Sequence, residues 1–78
     1  NKVEDIEVVI TRKHASGGRN TTYYFDFEYK GNKCDVSVPM QHYRHYQVDD
    51  TIVISFYHGA LGIDYFYYHV ELNNYYEN

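Results

Sequence analysis

The sequence has only one cysteine, no long apolar run and few basic residues. A single cysteine, Cys34, excludes an internal disulfide and a four-thiolate metal site. No apolar run approaches the roughly 18 residues that a membrane-spanning segment needs, so the chain itself is expected to be soluble. The seven lysine and arginine residues are scattered and the net charge is −4, which argues against binding to nucleic acid or another polyanion.

The chain does have enough apolar material for one small domain. Its 78 residues are 44% hydrophobic and 23% charged, which is typical of a globular protein. A chain of this size buries only about 60% of the surface that its unfolded form exposes, so the core is expected to be small. We expect one domain over residues 3–72 and a frayed polar tail at 73–78. Because the sequence begins at Asn1, it is expected to be a processed or excised piece.

Apolar and polar residues alternate through most of the chain, which indicates β-strands. The alternation is clearest at 23–29, where four aromatic residues are interleaved with Tyr24, Asp26 and Glu28. The pattern predicts five strands, at 6–11, 23–29, 34–38, 52–57 and 64–72. At 40–46 apolar residues recur every three or four positions instead, which predicts a short helical turn.

These elements predict an all-β fold, namely a small five-stranded, mostly antiparallel barrel of the OB or SH3 type. Five short strands are too few to enclose a full core between two sheets, so a sandwich is not expected. Closing one sheet on itself removes exposed strand edges and encloses a single apolar interior. The helical turn at 40–46 would cover one open end of the barrel.

Three turn sequences carry a resemblance to known proteins. They are Tyr-Lys-Gly-Asn-Lys at 29–33, Val-Asp-Asp-Thr-Ile-Val-Ile at 48–54 and Gly-Ala-Leu-Gly at 59–62. Over residues 3–70 the chain resembles the small extracytoplasmic β-barrel domains of uncharacterised bacterial membrane proteins. It is similar, more distantly, to the soluble OB-like domain of NfeD-type membrane proteins. Those barrels usually have Val-Gly-Asp in the second turn, and here Asp49, which tolerates a left-handed backbone, stands in place of the glycine.

The resemblance implies a location and a class of function. It implies a bacterial, membrane-associated protein whose soluble domain lies outside the cytoplasm and whose flanking segments, not contained in this chain, hold it at the membrane. It also implies contact with a protein partner or self-association. Proteins of this kind bring no catalytic residues with them, so the chain is expected to be non-enzymatic and to need no cofactor.

The residues that could act in catalysis lack the neighbours that such chemistry needs. Cys34 falls on the inward side of its strand, where a thiol behaves as a small inert hydrophobe. Ser55 points outward, but no histidine is close in sequence to act as its base. Asp26 and Glu28 share the outer side of one strand, an arrangement compatible with an acid–base pair but also ordinary for a solvated strand.

The spacing of His42 and His45 raises one metal hypothesis. Two histidines three positions apart on a helical turn lie on one side of it, as two zinc ligands must. A third ligand would come from a carboxylate or from one of His14, His58, His69 and Cys34. The alternative is two solvated side chains on an exposed connection, so we assign no metal and retain the pair only as a candidate.

Tyrosine is the most unusual component, with eleven residues in 78. Tyr23, Tyr29 and Tyr68 fall on inward positions. Six others are predicted to point outward or to lie on the helical turn, and these are the candidate binding residues: Tyr24, Tyr57, Tyr65, Tyr67, Tyr43 and Tyr46. Exposed rings form protein contact surfaces or stack on sugars and bases, whereas tyrosine also occurs on strands simply because it favours them.

Two functions are therefore considered. The first is a soluble interaction module that contacts a partner through an outward tyrosine-rich face. The alternative is an OB-like binder of a glycan or of single-stranded nucleic acid on an aromatic platform, with nucleic acid disfavoured by the net negative charge.

Overall fold

The computed structural model describes residues 2–74, and this part of the chain is mainly β-structure. Its six strands are β1 (Lys2–Val9), β2 (Arg12–Ser16), β3 (Thr22–Tyr29), β4 (Asn32–Val38), β5 (Thr51–His58) and β6 (Asp64–Tyr67). A short helix, α1 (Met40–His45), follows β4, and 3₁₀ helices occupy Ala60–Gly62 and Val70–Asn73. The predicted all-β class and the helical turn are confirmed. None of the helices in the described part is long and apolar enough to cross a membrane.

The strands form two three-stranded antiparallel sheets and not a closed barrel. In the first sheet β5 lies between β1 and β6, and in the second sheet β3 lies between β2 and β4. The predicted five-stranded barrel is therefore wrong in strand count and in closure. A sixth strand gives each sheet a central strand with two neighbours, so that two inner faces can enclose one core.

The strand that the sequence pattern missed is β2, because none of its positions carries a large apolar side chain. Hydrogen bonds along the backbone show how it arises. Ile10, just after β1, is still bonded to the segment that leads into β5, since its carbonyl accepts the N–H of Asp49 at 2.8 Å. The next residue, Thr11, donates its N–H to the carbonyl of Asp26 at 2.8 Å, and Arg12 then lies opposite Asp26 in β3. The chain thus changes sheets within one residue, and its pairing with β3 defines β2.

The inner faces of the two sheets share one apolar core. Phe25 and Phe27 lie at its centre, with 0% and 1% of their surface exposed. Burial of a large apolar side chain is worth about 1.5–3 kcal/mol, so the core determines which side of each strand faces inward. Where a strand and its flanking residues contribute two buried apolar side chains, these lie two positions apart, as the alternation requires. The buried apolar residues are Val8, Ile10, Phe25, Phe27, Val36, Val38, Ile52, Ile54 and Tyr68.

The turn before β5 and the turn between β3 and β4 are among those that place residues in the left-handed backbone region. Asp49, before β5, has a φ of 82°, as expected for the residue that stands in place of glycine. The β3–β4 hairpin turns through Lys30 and Gly31, with φ values of 51° and 80°, which is the type I′ arrangement that matches strand twist. Glycine adopts such a φ without steric cost, as Gly31 does here, whereas Asn32 already begins β4.

The last predicted strand, 64–72, is shorter than expected, since β6 ends at Tyr67. Val70, predicted to point inward, is 43% exposed because it begins a 3₁₀ helix. Beyond the end of β6, the side chain of Asn73 makes the hydrogen bonds to β5 that a longer strand would have made. Its Oδ1 accepts the N–H of Val53 at 2.7 Å, and its Nδ2 donates to the carbonyl of Val53 at 2.6 Å. One amide side chain thereby satisfies both backbone groups of a β5 residue that β6 does not reach.

Only residues 73 and 74 of the predicted tail at 73–78 lie in the described part of the chain. Asn73 is buried, and its carbonyl also accepts the hydroxyl of Tyr46 at 3.0 Å, so it belongs to the folded domain. Residues 75–78 of that predicted tail lie outside the described part of the chain.

Candidate functional site

A cluster of aromatic rings lies on the outer side of the first sheet, along β5 and β6. Tyr57 and Tyr65 are directly opposite each other in the strand register, and their rings stack with centroids 5.2 Å apart and planes 5° apart. Tyr67 meets Tyr57 edge-on at 6.5 Å. We call Tyr57, Tyr65, Tyr67 and the neighbouring His69 the aromatic face.

His69 holds the aromatic face in place. Its Nε2 lies 2.8 Å from the hydroxyl of Tyr57, and its ring packs edge-on against Tyr67 at 4.7 Å. Its Nδ1 lies 3.3 Å from the carboxylate of Glu71. The hydroxyl of Tyr57 is therefore engaged within the chain, whereas Tyr65 and Tyr67 are 47% and 54% exposed. These two rings are the part of the aromatic face that a binding partner can reach.

Two aliphatic residues at the tip of the β5–β6 hairpin extend this apolar surface. Ile63 has an extended backbone, so alternation puts its side chain on the same side as Tyr65, and it is 66% exposed. Leu61 is 96% exposed and has a φ of 62°, a left-handed conformation that costs roughly 1–2 kcal/mol for a residue with a β-carbon. We call Leu61 and Ile63 the hairpin tip. Sequence analysis missed it, although two large apolar residues in a glycine-flanked turn were the available signal.

Gly59 lets the aromatic face and the hairpin tip approach each other. A β-carbon at this position would collide with the carbonyl oxygen of Ile63 and would lie 3.3 Å from a ring carbon of Tyr65. The N–H of Gly59 donates to that same carbonyl at 2.8 Å. The absence of a side chain therefore allows the hairpin to close and the ring of Tyr65 to lie over its backbone.

The other three predicted binding tyrosines lie elsewhere. Tyr24 is on the outer side of the second sheet, where its ring stacks on His14 with centroids 4.7 Å apart. Tyr43 and Tyr46, in and just after α1, are half-buried and pack against the core. Burial raises the pKa of the Tyr46 phenol, with a further contribution from the Asp50 charge. The structure thus brings together Tyr57, Tyr65 and Tyr67 and separates the remaining three from them.

The two histidines of the candidate metal pair lie in different surroundings, His42 in the core and His45 in solvent. His42 is 2% exposed, and its Nδ1 lies 2.7 Å from the hydroxyl of Tyr68. Burial lowers the pKa of this imidazole, and the nearby His45 lowers it further. His45 itself is exposed and packs edge-on against Tyr46. Within residues 2–74, no group of three potential ligands with metal-site spacing includes this pair.

The residues considered for catalysis are engaged in the fold. Ser55 is 0% exposed, and its hydroxyl donates to the carboxylate of Asp5 at 2.5 Å. That hydrogen bond is the main reason why the pKa of Asp5 lies below its usual value. Burial, followed by the charge of Asp35, raises the pKa of the Cys34 thiol, which favours the less nucleophilic form. Ser55 therefore presents no hydroxyl to a substrate, and Cys34 is not activated as a nucleophile.

The outer side of the second sheet carries charged residues, whereas the outer side of the first sheet carries aromatic ones. Asp26 in β3 lies directly opposite Asp35 in β4 and next to Arg12 in β2. The imidazole of His14, two residues further along β2, lies beside both carboxylates. His14, Asp26 and Asp35 form the group of potential metal ligands that the described residues contain, and we call them the histidine–aspartate cluster. It was not foreseen as a group because β2 was not foreseen as a strand.

Comparisons with known proteins add no relative to these observations. No protein family, no curated protein and no solved structure matches this chain. A function for it therefore has to follow from its own side chains.

Proposed function

We propose that this chain is a non-enzymatic interaction module that contacts another protein through the aromatic face and the hairpin tip. The observation that carries the proposal is Leu61. A large apolar side chain is held almost fully in solvent on a left-handed backbone, and no contact within the described chain compensates for either. Strain and exposure at one residue are typical of a site whose interactions lie outside the chain.

The surroundings of Leu61 support the same conclusion. Ile63, Tyr65 and Tyr67 continue the exposed apolar surface along one side of the hairpin and of β6. Tyrosine is enriched in protein interfaces because a rigid, amphipathic ring loses little conformational entropy when it is buried. The rings are also held in place before any partner arrives, since Tyr57 is bound to His69 and stacked on Tyr65. Such preorganisation lowers the entropic cost of association.

A second copy of the chain is the partner that this surface favours. Its four exposed members, Leu61, Ile63, Tyr65 and Tyr67, carry no charge, so two copies can meet without like-charge repulsion. A twofold contact then buries the same patch on both copies. In the cell we place this contact in a membrane-tethered bacterial protein, with the module outside the cytoplasm. The resemblance of the turn sequences supports that placement.

The test is sedimentation of the parent chain and of the double variant Leu61→Asn, Tyr67→Ser over a wide concentration range. Asparagine accepts a left-handed backbone more readily than leucine, so the variant is expected to keep its fold and melting temperature. We expect the parent to self-associate and the double variant to stay monomeric. The matched control is Val9→Thr, which removes an exposed apolar group at the other edge of the same sheet and should associate like the parent.

The result also separates this proposal from the OB-like alternative. Equal association of the parent and the double variant would contradict the contact surface. If the parent is monomeric and soluble oligosaccharides shift the amide signals of Tyr65 and Tyr67 in a saturable way, the aromatic face is a glycan platform instead.

A further inference from the structure

The histidine–aspartate cluster lies on the outer side of the second sheet, whereas the aromatic face lies on that of the first, and the two differ in chemistry. Asp26 and Asp35 are directly opposite each other on neighbouring strands, where two like charges destabilise a sheet. The Nε of Arg12 donates to Oδ2 of Asp26 at 2.7 Å. That contact occupies one oxygen of the pair and leaves Oδ1 of Asp26 and the carboxylate of Asp35 facing His14.

The contact between His14 and Asp26 is close but incomplete. Nδ1 of the imidazole lies 2.8 Å from Oδ1 of the carboxylate, and both atoms are shielded from solvent. The two are not aligned as a hydrogen bond, and neither atom has another hydrogen-bond partner. Buried polar atoms in native proteins are nearly always satisfied, and these two, in contact without an aligned hydrogen bond, are an imidazole nitrogen and a carboxylate oxygen, which are ligand types that a metal ion binds together.

The ring of His14 is held so that both its nitrogens are near carboxylates. It stacks on Tyr24 with planes 11° apart, which fixes its orientation. Its Nε2 lies 3.9 Å from Oδ2 of Asp35, whose side chain is 54% exposed and has room to rotate. One ligand atom from each of His14, Asp26 and Asp35 lies within 4.8 Å of the other two.

We propose that His14, Asp26 and Asp35 bind a divalent transition metal ion of the zinc class. Ligand atoms on a tetrahedral zinc ion are about 3.3 Å apart, so binding requires Nδ1 of His14 and Oδ1 of Asp26 to move slightly apart from their 2.8 Å contact and the exposed Asp35 carboxylate to rotate toward that same nitrogen. The ion would engage the two unpartnered buried atoms and neutralise the opposed carboxylates. An imidazole ligand favours zinc over magnesium or calcium, which prefer sites built from oxygen alone.

The cluster leaves the metal ion accessible from one side. It borders an open depression of about 760 Å³, whose wall also includes Thr11, Glu28 and Lys33. Three protein ligands with a fourth position open to solvent are the arrangement of accessible zinc sites, whereas structural zinc sites are closed by four protein ligands. The bound ion would therefore keep a water molecule or an exchangeable ligand. This inference is independent of the protein contact proposed above, because none of its residues belongs to the aromatic face or the hairpin tip.

The experiment is a zinc titration of the tag-free, chelator-treated chain by calorimetry, with the imidazole nitrogen signals followed by NMR. We expect saturable binding of one zinc ion at micromolar concentration and a shift of a His14 nitrogen. His14→Gln and Asp35→Asn should each weaken zinc binding by about tenfold or more. Asp35→Asn leaves the Arg12–Asp26 contact in place, so it tests the site even if His14→Gln perturbs the strand. Magnesium should produce no such shift.

Two controls have the same chemistry outside the cluster. His58→Gln removes a histidine whose Nδ1 lies 2.7 Å from Asp64, in a surface pair outside the cluster, and should bind zinc like the parent. His45→Gln removes the exposed member of the α1 pair and should also have no effect. The proposal fails if the parent shows no saturable binding up to millimolar zinc. It fails equally if His14→Gln and Asp35→Asn bind as the parent does, or if only His45→Gln loses binding.

Discussion

The outer faces of the two sheets differ sharply, although their inner faces are alike. Inside, Ile52 and Ile54 of the first sheet pack against Phe25 and Phe27 of the second, and all four are buried. Outside, the first sheet presents the aromatic face and the second presents the histidine–aspartate cluster. Because the core constrains only every second residue of a strand, the alternate residues are free to acquire separate chemistries.

The two sheets also differ in how they are completed. In the second sheet, β3 pairs with β4 from Tyr23 to Tyr29, so backbone groups satisfy one another along nearly the whole strand. In the first sheet, β6 is only four residues long and leaves Val53 of β5 to the side chain of Asn73. The central strand of the first sheet thus needs one side chain to complete its backbone hydrogen bonds, whereas the central strand of the second sheet is completed by a neighbouring backbone.

The largest expected loss of stability comes from removing the side chain of Asn73. Asn73→Ala leaves the N–H and the carbonyl of Val53 without their partner, and it also removes a 3.1 Å hydrogen bond to the carbonyl of His69. Unsatisfied buried groups cost about 1–3 kcal/mol each, so we expect the free energy of unfolding in urea to fall by about 3 kcal/mol. Asn20→Ala, in the exposed β2–β3 loop, should stay within about 0.5 kcal/mol of the parent. A loss that small for Asn73→Ala would mean that water replaces the amide.

A smaller effect is expected from acid, acting on a group that joins the two sheets. His42 lies on α1, which packs on β3, and it contacts Tyr68 beyond the end of β6. Burial lowers the pKa of His42 in the folded state, so the unfolded chain binds the proton more readily. Stability is therefore complete above the unfolded pKa of about 6.5 and falls as the pH drops below it, by roughly 1.4 kcal/mol for each unit of pKa difference.

The measurement is the urea midpoint between neutral pH and about pH 5. His42→Gln should lose part of the acid sensitivity of the parent, whereas His45→Gln should retain most of it and lose only the smaller contribution that the His45 charge makes to the lowered pKa of His42. An identical pH dependence in the parent and in His42→Gln would show that protonation of His42 is not what destabilises the fold in acid.

The smallest effect is expected from removing one charge from the outer face of the second sheet. In metal-free buffer, Asp35→Asn removes one of two directly opposed carboxylates. We expect thermal unfolding to show a gain of about 0.5 kcal/mol that shrinks in high salt. Asp64→Asn, whose carboxylate pairs with His58 and not with a second acid, should show no gain. A loss of stability in Asp35→Asn would mean that Asp35 is already compensated without a metal ion.

Much of the fold could be predicted where apolar and polar residues alternate. The inward positions of β1, β3, β4 and β5 follow from that pattern, because burying their side chains outweighs any competing preference. The strand β2 could not be predicted in this way. Its sequence, Arg-Lys-His-Ala-Ser, has no apolar period, and it is a strand because β3 offers it backbone partners.

The candidate sites were predictable to different degrees. Tyr57, Tyr65 and Tyr67 lie on alternate positions of two strands joined by a short connection, so their grouping follows from local pattern. His14, Asp26 and Asp35 lie on three different strands and meet only through pairing in the sheet. Leu61 was missed because its exposure depends on the path of the hairpin, which its own residue type does not determine.

The sequence by itself determined the class of the fold, the side of β1, β3, β4 and β5 that faces the core and the turn at Asp49, since each depends on a side chain and its immediate neighbours. Tertiary structure alone decided that there are two sheets and no closed barrel, that Asn73 stands in for a strand, and that three ligand side chains converge. Those outcomes depend on backbone hydrogen bonds between distant residues. Every residue other than proline carries the same backbone groups, so the sequence leaves their partners unspecified.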